Sequence, residues 1–245
     1  MNWNGSDGME WLEARLPGAA VRFTTRKGGK SRGPFDSLNL GILTDDDPGA
    51  VIANRGRLAG ALGIDGTRVA MRRQVHGSDL VFHDGGPVEP HYLEPGDPPA
   101  AADGHLTSTP RLPMLVLVAD CVPVAVSGPG GLAMLHCGWR GLAGTIIEDA
   151  CEGVGATHAV VGPGIGPCCF EVGEEVFEAF AGLGDGLRSG NNLDLWQVAE
   201  RKLRRTGVSD VEVAGMCTFC DEERFFSHRR DRGKTGRQAG IAWLE

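Results

Sequence analysis

Three short apolar runs in the middle of the chain constrain its fold more than any other feature. Met114–Ala119 (MLVLVA), Pro123–Val126 and Gly131–Leu135 follow one another with only a few residues between them. Runs this short and rich in branched side chains read as buried strands. The first ends at Asp120-Cys121 and the third at His136. A later run, Val211–Met216, reads as a strand ending at Cys217. Reactive side chains therefore sit where strands end. Such ends are rigid and open into loops, which suits a site.

The flanking segments supply the rest of the fold. Val21–Thr25 and Ala239–Leu244 read as strands, and Val69–Phe82 as a strand pair or a strand–turn. His158–Val161 is a strand that runs into the loop GPGIGPCC. Asp47-Pro48 opens a helix, with Asp as N-cap and Pro in the first turn, and Gly63 ends it. Leu142–Cys151, Gly173–Phe180 and Leu193–Arg205 are expected as further helices. Gly85–Ala102 is proline-rich and reads as a loop. Hairpin-like strand pairs mixed with helices favour an α+β fold over a doubly wound parallel sheet.

With 245 residues and 41% hydrophobic content, the chain can bury a sizeable core. A net charge of −8 argues against a nucleic-acid partner, which selects for a basic surface. No apolar run reaches the length of a membrane helix. The N-terminus lacks the basic start and apolar middle of a signal peptide. Seven cysteines, an odd number without small-domain disulfide spacing, fit a reducing compartment, so a cytoplasmic location is expected.

Four constellations could carry chemistry. His76, Cys121 and His136 form a legitimate three-ligand set for a catalytic zinc with one open position. Their wide spacing does not establish it, and hydrogen-bonded turn histidines with a buried cysteine are the plainer reading. Cys121 could instead be a nucleophile with His136 as its base. Cys168, Cys169, Cys217 and Cys220 suggest a structural zinc, but adjacent cysteines are expected to diverge, so packed free thiols are preferred. GPGIGPCC has the glycine density of an anion-binding nest without a P-loop or dinucleotide order; a rigid turn is the alternative. The stretch Phe225–Arg237 (FFSHRRDRGKTGR) is the densest basic segment of an acidic chain. Such runs are usually solvated faces, but its glycines and aromatics suit an anion-binding pocket loop.

These motifs together resemble the laccase-domain family, whose members have been called multicopper polyphenol oxidases and purine nucleoside phosphorylases. The resemblance rests on QVHG (Gln74–Gly77), ADCVPV (Ala119–Val124), HCGWRG (His136–Gly141), IGPCCFEVGEEV (Ile165–Val176) and the segment Phe225–Leu244. SLNLG (Ser37–Gly41), Asn54–Gly63 and LDLW around Asp194 add to it. It covers nearly the whole chain in order. It implies one domain over residues 1–245, a layered α/β/β/α sandwich with mixed sheets, similar to a fold seen in a cysteine-dependent toxin deamidase. It also implies zinc on His76, Cys121 and His136 as the catalytic centre. The implied reactions are phosphorolysis of adenosine, inosine and 5′-methylthioadenosine, and deamination of adenosine. Two departures stand out: Cys137 replaces the usual Ala, and ADGHLTS replaces ADALVT, bringing in His105.

On this reading the partners are a purine nucleoside and phosphate, handled by a monomer without nucleic acid or membrane. Arg140 and Arg229 are the expected anion contacts, with Arg26 and Arg55 as further candidates. Copper-dependent phenol oxidation is the alternative, because blue-copper centres also use two His and one Cys. Seven histidines and no H-x-H pair argue against a multicopper enzyme.

Overall fold

The computed structural model describes residues 1–86, 92–93 and 100–245. In chain order the strands are β1 (Asn2–Ser6), β2 (Met9–Leu16), β3 (Ala19–Thr24), β4 (Leu80–His83), β5 (Gly104–Thr107), β6 (Met114–Val118), β7 (Val122–Gly128), β8 (Gly131–Cys137), β9 (His158–Val161), the short β10 (Arg188–Ser189) and β11 (Asn192–Leu193), β12 (Asp210–Val213) and β13 (Gln238–Leu244). The helices are α1 (Pro48–Leu62), α2 (Trp139–Ala143), α3 (Ile146–Val154), α4 (Glu174–Phe180) and α5 (Leu195–Arg205).

Two large sheets stack face to face. One has the order β1-β2-β3-β13-β6 and is antiparallel throughout. The other has the order β12-β9-β7-β8-β5-β4 and is mixed, with parallel pairs at both edges. Three apolar layers hold the stack. Leu58 and Ala59 of α1 pack with Leu38, Leu40, Leu115 and Ile241 on the outer face of the first sheet. Val21, Val116, Ala125 and Met134 fill the space between the sheets. Val124, Leu135, Ile147 and Val198 join the second sheet to α3 and α5. The order is therefore helix, sheet, sheet, helices: an α+β sandwich with mixed sheets.

Strand alternation assigns each residue of β8 to a layer. Leu132 and Met134 face the other sheet, whereas Ala133, Leu135 and Cys137 face the helices. His136 falls on the sheet-facing side. Each fully buried side chain of this size contributes roughly 1.5–3 kcal/mol.

Several segments differ from their sequence reading. Residues 1–16, to which the sequence reading assigns no element, form the β1–β2 hairpin. Val69–Phe82 holds one strand, β4, preceded by single bridges at Ala70 and Arg73, because Asp103 ties the intervening backbone into a loop. The helix expected over Leu142–Cys151 is two helices that break at Gly144 and Thr145, where the packed Ser78 side chain leaves no room for a Cβ on residue 144. The strand expected over Val211–Met216 ends at Val213, so Cys217 lies in a loop. His136 lies inside β8 rather than after it. Most of the loop Gly85–Ala102 lies outside the described residues.

Candidate functional site

The centre of the site is set by strand register. β5 pairs with β8 so that Gly104 faces Leu135. One step further along, Asp103 lies opposite His136. The Asp103 carbonyl accepts the His136 backbone N–H at 2.7 Å, and its carboxylate receives His136 Nδ1, also at 2.7 Å. That fixes the ring and leaves Nε2 for a ligand.

The same carboxylate builds the QVHG loop. It accepts the backbone N–H groups of Val75, His76 and Gly77 at 2.8–3.0 Å. His76 is held at φ 62°, a conformation rare outside glycine and retained here by these bonds. Gln74 anchors the other end of the loop, donating to Leu117 O and accepting the Leu117 N–H. The His76 ring meets the His136 ring edge-on, with centroids 4.9 Å apart.

Cys121 enters from the loop between β6 and β7. Pro123 faces His136 in the β7–β8 register, so Cys121, two residues earlier, shares its face. Asp120 before it sits at φ 91° and is tied down by Thr218 Oγ1 and the Arg229 backbone N–H. Asp120 therefore locks two loops together instead of orienting a histidine. The ligand atoms of His76, Cys121 and His136 lie within 4.8 Å of one another. The structure thus brings together the trio that spacing alone left open.

The three side chains shift one another strongly. Burial pushes the Cys121 thiol up, but the His136 and His76 imidazoles outweigh it and bring the thiol down to about 6. Burial pushes His136 down, but Cys121 and Asp103 outweigh it and raise the imidazole to about 9. A thiolate and two correctly presented imidazoles form a borderline-soft N, N, S donor set. Gly138 completes the fit. A Cβ there would lie 3.1 Å from His76 Cδ2 and 3.2 Å from Cys121 Sγ. Cys137 is no rival ligand: it points to the opposite face of β8, and burial keeps its thiol protonated.

The trio lines a cavity of about 710 Å³. Arg140 and Arg229 line it too. Arg140 is exposed and stacks over Trp139 at 4.4 Å, and its guanidinium makes no hydrogen bond among the described residues. Arg229 reaches across Phe170 and donates to Glu171 O. Arg26 does not reach the cavity: its guanidinium donates to Asp36 O and Glu222 O and lies against the Phe226 ring. Arg22 pairs with Glu13 and stacks on Trp243. Arg55 is buried at the cavity edge, donating to Leu40 O and Tyr92 O, with only Nη2 unpartnered. GPGIGPCC is a packed turn: the N–H groups of Gly162, Gly164, Ile165, Gly166, Cys169 and Phe170 all have internal acceptors. His105 lies outside the cavity, buried in β5 against His83.

Sequence reasoning missed Asp103, Arg73 and Arg237. Arg73 is an exposed cation on the cavity wall. Arg237 belongs to the basic run and lines the cavity, where burial lowers its pKa against the pull of Cys121 and Asp120. Asp103 precedes the short strand GHLT, which has no apolar run to mark it, and its partners are far away in sequence.

Comparisons with known proteins bear on the family and the fold. A family described as multi-copper polyphenol oxidoreductase laccase matches residues 20–245. A purine nucleoside phosphorylase of Pseudomonas aeruginosa is 38% identical over 96% of this chain and 98% of its own length. The purine nucleoside phosphorylase YfiH of Escherichia coli is 36% identical over 96% of this chain and 97% of its own. The crystal structure of the hypothetical protein YfiH of Bacillus licheniformis superposes with a TM-score of 0.89 at 30% identity, covering 99% of both chains. With its fold, its motifs and these relatives in accord, the chain belongs to the multi-copper polyphenol oxidoreductase laccase family.

Proposed function

We propose that this protein is a zinc-dependent purine nucleoside phosphorylase that takes adenosine, inosine and 5′-methylthioadenosine, and that it also deaminates adenosine. The observation that carries the reading is one cavity lined by both the His76–Cys121–His136 cluster and unattached arginine charge. Two relatives that match nearly end to end are named purine nucleoside phosphorylases. Zinc on the three donors would supply a Lewis acid with one position left for substrate.

The chain's own residues account for the rest. Arg140, Arg229, Arg73 and Arg237 form the cationic wall that holds phosphate, with Arg55 Nη2 behind them. Trp139 and Phe170, each beneath an arginine, offer flat apolar surface to the purine. A phosphate oxygen bonds to C1′ as the C1′–N9 bond breaks. Its electron pair moves into the purine, which takes up a proton. Asp103 holds His136 and His76 in place throughout. The proposed protein works as a monomer, and its thiol content suits the cytoplasm.

A cysteine-hydrolase reading has one observation in its favour, the lowered Cys121 thiol beside a raised His136. Product analysis on a nucleoside panel, with and without phosphate, tests the proposal. Free purine and ribose 1-phosphate are expected only with phosphate, and inosine from adenosine without it. The absence of both at every zinc loading would refute the proposal. His76→Ala is expected to lose zinc and turnover together. A Cys121→Ser variant that keeps zinc but loses turnover would favour the hydrolase reading. Stoichiometric copper without zinc, in protein made without added copper, would favour phenol oxidation.

A further inference from the structure

The four cysteines expected to be packed free thiols converge. The sulfurs of Cys168, Cys169, Cys217 and Cys220 all lie within 4.8 Å of one another. Cys168–Cys220 and Cys168–Cys169 are 3.5 Å apart and Cys169–Cys220 3.4 Å. We propose that these four residues form a second metal site, a closed four-thiolate zinc centre that clips the loop after β9 to the loop after β12. It is independent of the catalytic reading.

Three observations carry it. First, the spacing matches the ion: zinc–sulfur bonds of about 2.3 Å give a tetrahedron with edges of about 3.8 Å. The three edges among Cys168, Cys169 and Cys220 need shifts of a few tenths of an ångström, and those to Cys217 no more than about 1 Å, to reach that shape. Second, the objection from adjacent cysteines does not hold in this backbone. Cys169 N–H and Phe170 N–H both donate to Gly166 O, which makes residues 166–170 a helix-like turn. Successive side chains in such a turn diverge by about 100°, not by the near-reversal of a strand, so both sulfurs reach one point. Third, Cys217-x-x-Cys220 is built as a metal knuckle. Cys217 Sγ accepts the backbone N–H group of Gly166 at 3.2 Å. Backbone donors aimed at sulfur stabilise a thiolate.

The two loops are already zipped next to the cluster. Gly164 N–H donates to Met216 O, and Thr218 N–H to Gly164 O. Gly166 permits the approach, since a Cβ there would lie 2.7 Å from Trp196 and 3.2 Å from Cys217 Cβ. The cluster opens onto its own surface depression beside Asp221, Glu222 and Glu223, apart from the main cavity. Divalent zinc would enter there as the thiols release their protons to solvent, so binding strengthens as pH rises. The loops it joins carry Phe170 and Glu171 on one side and His228 and Arg229 on the other, all of which line the main cavity. The clip therefore has a structural role: it sets the width of that cavity.

The test uses the full chain, purified without a metal-chelating tag. Elemental analysis after zinc loading should show that Cys217→Ser/Cys220→Ser loses one equivalent and keeps any zinc on the His–Cys–His site. His76→Ala should show the converse. Cobalt(II) added to chelator-treated His76→Ala should give the intense sulfur-to-metal absorption and visible bands of a tetrahedral four-thiolate site. A measurement on the unaltered protein covers the case of misfolded variants: zinc should protect Cys168 and Cys220 from iodoacetamide. Equal zinc content in wild type and the double cysteine variant would overturn the proposal. So would equal alkylation with and without zinc, or disulfides among these four residues in zinc-loaded protein.

Discussion

Asp103 is the residue on which the site depends. It is fully buried, yet burial does not neutralise it. Burial alone would raise its pKa, but hydrogen bonds from His136 and from Gly77 and Val75 N–H outweigh that and lower it. Asn at this position has one acceptor oxygen and cannot satisfy both the imidazole and the loop amides. Asp103→Asn is expected to fold but to weaken metal binding about 10- to 100-fold, as measured by competition with a chromophoric chelator. Asp103→Ala leaves buried donors unpaired and should cost on the order of 3–5 kcal/mol in urea unfolding. The arginines separate in the same way. Arg140→Ala removes an uncommitted charge from the cavity wall and should raise KM for phosphate by roughly tenfold or more, the worth of a charge-assisted hydrogen bond. Arg26→Ala should lower stability and leave that KM unchanged, because its partners are the carbonyls of Asp36 and Glu222. Both arginines were reasonable anion contacts on sequence grounds. Residue type carries no information about which guanidinium the backbone has already satisfied.

Among the elements, the turn from β8 into α2 joins fold to chemistry. β8 delivers His136 to the sheet-facing side and Cys137 to the helix-facing side, because successive strand residues point to opposite faces. Gly138 then caps α2 and lets the backbone pass beneath His76 and Cys121. Gly138→Ala is expected to retain the secondary structure by circular dichroism and to lower metal affinity, since its methyl meets two ligands at 3.1–3.2 Å. Full zinc affinity in that variant would show that the ligands have more room than this packing allows. The strands of the central hairpin were legible from their branched, apolar runs, and α1 from Asp47, Pro48 and Gly63. Of the strand pair or strand–turn expected around QVHG, the strand–turn is the form present. Its backbone donors go to a side chain, Asp103, and periodicity does not register that kind of partner. The continuous helix expected after GWRG is interrupted at Gly144, whose backbone is extended at ψ −150° where a Cβ would meet Ser78.

Across the whole molecule, the two-sheet sandwich buries a pair of histidines at the β4–β5 edge. His83 Nε2 lies 3.1 Å from His105 Nδ1. Burial, with Arg72 nearby, pushes His83 down to about 4; burial and His83 push His105 down to about 3. Between those values and about 6.5, the unfolded chain binds protons that the folded chain refuses. Stability should therefore be level above about pH 7.5 and fall as pH drops through 6.5 toward 4. At pH 5 the loss should be on the order of 2 kcal/mol for each imidazole. Urea midpoints across this range check it, and His105→Leu should flatten the acid limb; an unchanged limb would mean that other groups control it.

The amino-acid sequence by itself determined the family, the α+β class and the identity of the three ligand candidates, because motif order and strand-forming runs are properties of the chain. Whether His76, Cys121 and His136 meet was decided by the tertiary structure. Strand register sets Asp103 opposite His136, and its carboxylate folds the His76 loop back onto them. The convergence of the four other thiols was decided there as well, because a helix-like turn and a knuckle from distant segments aim their sulfurs at one point.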